Sequence, residues 1–123
     1  MDVRLKRAYE SASAEDGYRV LIDRLWPRGV SKQQAKLDEW DHELAPSREL
    51  REWFGHEPDR FPEFRRRYID ELRANRPRLS ELRRRARTGT LTFVYSAHDT
   101  EHNDAVVLAE VLQRGLPKPD RSR

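Results

Sequence analysis

The chain has no cysteine, and its 123 residues include only five glycines. The missing cysteine excludes a disulfide framework, a thiol nucleophile and a zinc–thiolate site, as fits a cytoplasmic protein. The glycines stand singly at 17, 29, 55, 89 and 115, at the ends of predicted helices and turns. No G-x-G-x-x-G, P-loop, G-x-S-x-G or H-E-x-x-H pattern occurs, which argues against a glycine-rich nucleotide cradle. Apolar runs fall far short of the roughly 18 residues that span a bilayer, so no membrane association is expected. Asp2, Arg4, Lys6 and Arg7 interrupt any signal-peptide pattern at once. Lysine is also scarce: positions 6, 32, 36 and 118 hold the only four among 25 basic residues.

Charge is what the chain has in abundance. Charged residues make up 38% and hydrophobic residues 36%, with a net charge of +3. That balance fits a folded, highly charged domain without the large basic excess that nucleic-acid binding favours. The length suits one domain over 1–123, with a core to about residue 114 and a polar, Pro-containing tail from 115 that is expected to fray.

Apolar and polar residues alternate from Val3 towards Tyr9, as in a half-exposed strand. Val20, Leu21 and Ile22 form a continuous β-favouring run, as in a strand covered on both faces. Pro27 and Gly29 end that segment, which puts Asp23, Arg24 and Arg28 at or just beyond a strand end. Ser31 is a plausible cap for a short helix over 32–36. Residues 37–44 read both as helix and as extended chain, with the extended reading preferred. Ser47 then caps a helix through Phe54, stopped by Gly55. Phe61, Phe64, Tyr68 and Leu72 form an amphipathic stripe, and Pro77 precedes a second helix carrying Leu79, Leu82 and Ala86. A strand over 90–95 and a helix ending near Arg114 complete the chain. Long helical connections between strands predict a single compact α/β domain, a small mostly parallel sheet flanked by helices.

The richest stretch chemically is the loop Ser96–Asp104. Its helix is predicted to begin near Asp99 or Thr100, where unpaired backbone N–H groups favour an anion. Asp99, Glu101 and Asp104 oppose a bare phosphate there unless a metal or arginines intervene. His102 is a candidate base titrating near neutrality. His98 and His102 lie four apart, but His98 precedes the helix, so no metal site is assigned. Arg24 and Arg28 present forked donors suited to phosphate or carboxylate. If the two strands are parallel neighbours, the loops 23–29 and 96–104 share one edge. The arginines of one then face the acids of the other, either as a catalytic pocket or as a salt-bridge network. His56, at a helix end, is within reach of the same edge, although a histidine that interacts with the dipole at the helix C-terminus is the simpler account. The arginine runs 65–67 and 83–85 offer another reading, a non-catalytic module that binds nucleic acid or protein.

Four segments, DRLWPRG at 23–29, ELAPS at 43–47, WFGH at 53–56 and YSAHDTEHNDAVVL at 95–108, together resemble the YeaO-like branch of the domain-of-unknown-function family number 488. The similarity runs from about Val3 to Leu112. It implies a small cytoplasmic α/β protein of bacterial type. The family's motif positions fall here on Asp23, Arg24, Trp26, Arg28, Glu43, Ser47, His56, Ser96, Asp99, Glu101, His102 and Asn103. The usual loop reads close to A-A-x-D-T-E-H-N, so Ser96 replaces an alanine and His98 fills a variable position. The combined expectation is a carboxyl-edge pocket for a small anionic molecule or a nucleotide, with hydrolysis or group transfer left open. Asp23, Arg24, Trp26, Arg28, Ser47, His56, Ser96 and Asn103 are its candidate binding residues, and Asp99, Glu101 and His102 would handle protons.

Overall fold

The alternating segment at the start of the chain forms strand β1, Asp2–Arg7, and the apolar run forms β2, Tyr18–Leu21. The computed structural model describes residues 1–118; within the tail expected to fray, 119–123 lie outside the described residues. Residues 37–44 combine both of their sequence tendencies. Glu39–Trp40 pairs with β2 as the short strand β3, and His42–Leu44 closes into a 3-10 turn. Thr90–Tyr95 is β4. The sheet order is β1-β4-β2-β3, and every pairing is parallel.

The helices start where short polar side chains replace missing backbone partners. Ser31 caps α1, Lys32–Ala35, and Ser47 caps α2, Arg48–Phe54. Pro62 and Pro77 sit in the first turns of α3, Phe61–Leu72, and α4, Arg76–Thr88, where their missing N–H costs nothing. The last helix, α5, spans Asp104–Arg114 with Asn103 as its cap. It begins later than the expected start near Asp99 or Thr100. Asp99 caps a tight turn of its own instead, its Oδ1 accepting the N–H groups of Glu101 and His102.

Strand alternation gives the sheet two unlike faces. Val20, Leu91, Phe93 and Tyr95 pack with Phe64, Tyr68, Leu72, Leu79, Leu82 and Leu108, the main core beneath α2 to α5. On the other face Leu21, Val94 and Ala8 form a small cluster covered by Trp26 and Leu37. Beside it lies a buried polar network. Asp16 accepts from Lys6, Arg19 and the Ser13 N–H, and Arg19 also donates to the Ala35 carbonyl at 3.0 and 2.8 Å. Burial pushes the Asp16 carboxyl up, but those donors together hold it below its ordinary value.

This arrangement opens the carboxyl edge. From β4 the chain passes to α5 over the apolar face, and from β2 it passes to α1 on the polar face. Neighbouring parallel strands whose connections leave to opposite sides leave a crevice between them. Among the described residues no helix is long and apolar enough to cross a membrane.

Gly17 joins the Asp16 turn to β2 with a φ of +63°, and a Cβ there would lie 2.3 Å from the Thr90 carbonyl oxygen. Gly17→Ala therefore combines backbone strain with a clash against β4. A loss of about 2 kcal/mol or more is expected in chemical denaturation; a change within experimental error would contradict the close approach.

Candidate functional site

The loops after β2 and β4 meet directly. Asp23 Oδ2 accepts the Ser96 backbone N–H at 2.8 Å and the Ser96 hydroxyl at 2.6 Å. Further bonds hold both loops in place. Trp40, at the end of β3, donates its indole N–H to the Asp23 carbonyl at 2.7 Å, and Trp26 donates to the Val30 carbonyl at 2.6 Å. The two indoles meet edge to face at 5.4 Å. From the end of β1, Arg7 donates to the carbonyls of Ala97 and Ser96. Thus all four strands contribute to the position of the two loops.

Between them and α2 lies a cavity of about 500 Å³. Asp23, Arg24, Trp26, Arg28, Ser96 and Asn103 line it from the sheet edge, and His56 from the end of α2. Arg51, Phe54 and Phe64 complete the opposite wall. Tyr9 and Leu25 also line the cavity, with 48% and 71% of their surfaces exposed. His56 has a φ of +58°, directly after the left-handed Gly55, an uncommon backbone state for a residue with a side chain.

The expected pairing of arginines on one loop with acids on the other is absent. Arg24 and Arg28 make no hydrogen bond or ion pair with any described residue. The acid that matters at the cavity is Asp104, at the first position of α5. Its Oδ1 accepts the Ala105 N–H at 2.9 Å, and Asp23 lies beside its carboxyl at the same cavity. Burial first, and then the negative charge of Asp23, push the Asp104 acid well above its ordinary range. Beside Asp23 the protonated form of Asp104 is therefore favoured. Sequence reading singled out Asp104 only as one of several loop acids. The overlooked signal is its place four residues before Leu108, in register with the buried stripe of α5.

The three residues expected to handle protons lie outside the cavity lining. Asp99 Oδ2 sits 2.8 Å from His102 Nδ1. Hydrogen bonds from the Glu101 N–H first, and then from His102, hold the Asp99 carboxyl below its ordinary value. The His102 ring packs edge-on against Phe61, and Glu101 is exposed. Asn103 is buried beside the Tyr95 hydroxyl: its Oδ1 caps α5 through the Val106 N–H, and its amide donates to the Asp99 carbonyl. Ser47 does not line the cavity either, although its neighbour Pro46 does. It caps α2 and ties it to α3, donating its N–H and hydroxyl to Glu71 at 2.8 and 2.7 Å. Among the described residues no group of three or more His, Asp or Glu side chains is arranged to hold a metal ion.

Comparison with known proteins agrees with the motifs. Residues 2–123 match the family model described as the inactive DUF488-N3 subclade. The chain is 44% identical over 113 residues to the uncharacterized protein YeaO of Escherichia coli (strain K12), covering 92% of this chain and 98% of that protein. It is 42% identical over 110 residues to the uncharacterized proteins Mb3100c of Mycobacterium bovis and Rv3073c of Mycobacterium tuberculosis, covering 89% of this chain and 92% of each. No solved structure matches it.

The carboxyl pair has a thermodynamic signature. Above the ordinary aspartate value of 3.8 the unfolded chain ionises Asp104, whereas the folded chain keeps it protonated. The folded state then holds the extra proton, so this group makes stability fall as pH rises. Asp104→Asn retains the acceptor for Ala105 and supplies an N–H for Asp23. The variant is expected to melt about 4 °C higher at pH 7, the shift of roughly 1 kcal/mol, and to converge with the wild type near pH 4. A lower melting temperature at pH 7 would contradict the protonated pair.

Proposed function

The chain belongs to the inactive DUF488-N3 subclade, and on that premise we propose that it binds a small phosphate-bearing molecule without turning it over. The observation that carries this reading is the pair of unengaged guanidinium groups, Arg24 and Arg28, at a cavity whose Asp104 is held uncharged. An ionised Asp104 would repel an incoming phosphate. The neighbouring Asp23 carboxyl is already engaged by both Ser96 donors. On the facing wall Arg51 adds a third cation, which donates to the Pro46 carbonyl, and the Glu52 carboxylate beside it pairs with Arg48.

The rest of the cavity fits a ligand with a flat apolar part, such as a nucleoside monophosphate. Trp26, Tyr9, Leu25 and Phe54 provide apolar surface beside the arginines, and about 500 Å³ falls within the usual range for small-molecule sites. The subclade description supports binding without turnover, and so does the separation of Asp99, Glu101 and His102 from the cavity lining. In this reading Asp99 and His102 pin the turn that leads into α5, and Arg24 and Arg28 fix the anion through their forked donors.

Thermal shift at low ionic strength, with inorganic phosphate and with adenosine monophosphate, tests the proposal. Adenosine monophosphate is expected to raise the melting temperature, since a ligand at 100 times its Kd adds about 2.7 kcal/mol of stability. Phosphate alone is expected to give a smaller rise. Arg24→Ala and Arg28→Ala should each reduce the response by most of its size while leaving the unliganded melting temperature unchanged. No response in the wild type at millimolar ligand, or a response in both variants as large as that of the wild type, would contradict the proposal.

A further inference from the structure

A second anion-binding surface lies on α4, away from the cavity. Arg76, Ser80, Arg83, Arg84 and Arg87 share one side of this helix by their i, i+4, i+7, i+8, i+11 spacing. Glu81, the one acid in α4, faces the other way and lies 4.0 Å from Arg78. Alongside runs a groove of about 490 Å³ between α4 and residues 115–118, lined by Arg73, Arg76, Arg83 and Lys118 and, among the described residues, by no acid. Two of these cations are anchored. Arg73 pairs with Asp70 at 3.2 Å, and Arg83 donates to the carbonyls of Val111 and Leu112 at the end of α5. The side chains of Arg76, Arg84, Arg87 and Lys118 make no hydrogen bond or ion pair with any described residue.

The other arginine-rich stretch lacks this property. Arg65 is bound by Glu110, Arg66 by Glu63, and Arg67 by Glu63 and the Trp53 ring. Arg85 lies 3.6 Å over the Tyr18 ring. The run 83–85 therefore divides, with Arg84 free for a partner and Arg85 held against the protein.

We propose that the acid-free arginine face of α4 and its groove bind the phosphate backbone of double-stranded nucleic acid, independently of sequence. Arg76 to Arg87 covers about 16 Å along the helix axis, long enough to meet several duplex phosphates. No aromatic side chain lines the groove, so unstacked bases of a single strand find no platform there. The large exposed apolar side chains are Met1, Leu5, Tyr9, Leu25 and Trp40. None lines this groove, so it lacks the apolar insertion that would favour a lipid surface. This surface is separate from the cavity and stands or falls independently of it.

The test is fluorescence anisotropy of the full chain with a fluorescein-labelled 20-base-pair DNA duplex across a salt series. Binding is expected at low salt, with a log–log slope of about −4 for about four phosphate contacts. Two double variants that change net charge equally separate this surface from overall charge. R84E/R87E is expected to bind about tenfold more weakly or worse, whereas K32E/K36E, on the exposed α1 segment, should stay within about twofold of wild type. Both pairs are exposed and without side-chain partners among the described residues, and circular dichroism checks that each variant folds. Absence of duplex binding at low salt, equal weakening of both variants, or binding only to phosphatidylserine vesicles would overturn the proposal.

Discussion

The structure depends on the parallel placement of β4 between β1 and β2. Because all four strands point the same way, the loops that follow them gather at one edge. The bond of Asp23 to both donors of Ser96 then closes the two central loops on each other. Arg7 from β1 and Trp40 from β3 brace that contact from either side. A loop rich in polar residues would otherwise be free to move and to satisfy itself with water. Here the sheet holds it against α2 and leaves a cavity between them.

Much of the fold was legible because it follows from period and punctuation. The stripe of α3, the caps Ser31 and Ser47, the stop at Gly55 and the strand at 90–95 each have a local cause in the sequence. The region 37–44 was ambiguous because its short strand has only two paired residues, too few for alternation to register. The start of α5 was misplaced because Asp99 and Asn103 are both good caps. Tertiary context decides between them, burying Asn103 beside Tyr95 and leaving Asp99 to a local turn.

The site was partly legible for the same reason. Turn residues such as Pro27 and Gly29 mark where a strand ends, so the meeting of two loops followed once the strands were taken as parallel neighbours. Which of the loop acids enters the cavity did not follow. That depends on local rotation of a loop, which has no sequence period. Asp99 and His102 turn to each other, while Asp104 enters the cavity. The chain's arginines divide similarly. Those of α3 are neutralised by neighbouring acids, and those at 24, 28, 76, 84 and 87 remain available. A count of charges cannot separate these groups, since only packing decides which acid each arginine meets.

The account rests on a carboxyl kept protonated beside Asp23 at the cavity. Site-resolved carboxyl-carbon NMR of Asp104 across pH tests this most directly. The account expects Asp104 to titrate well above the ordinary carboxylate range, with Ser96→Ala altering that titration by removing one donor from Asp23. An Asp104 that titrates near the ordinary value of about 4, unaffected by Ser96→Ala, would contradict it.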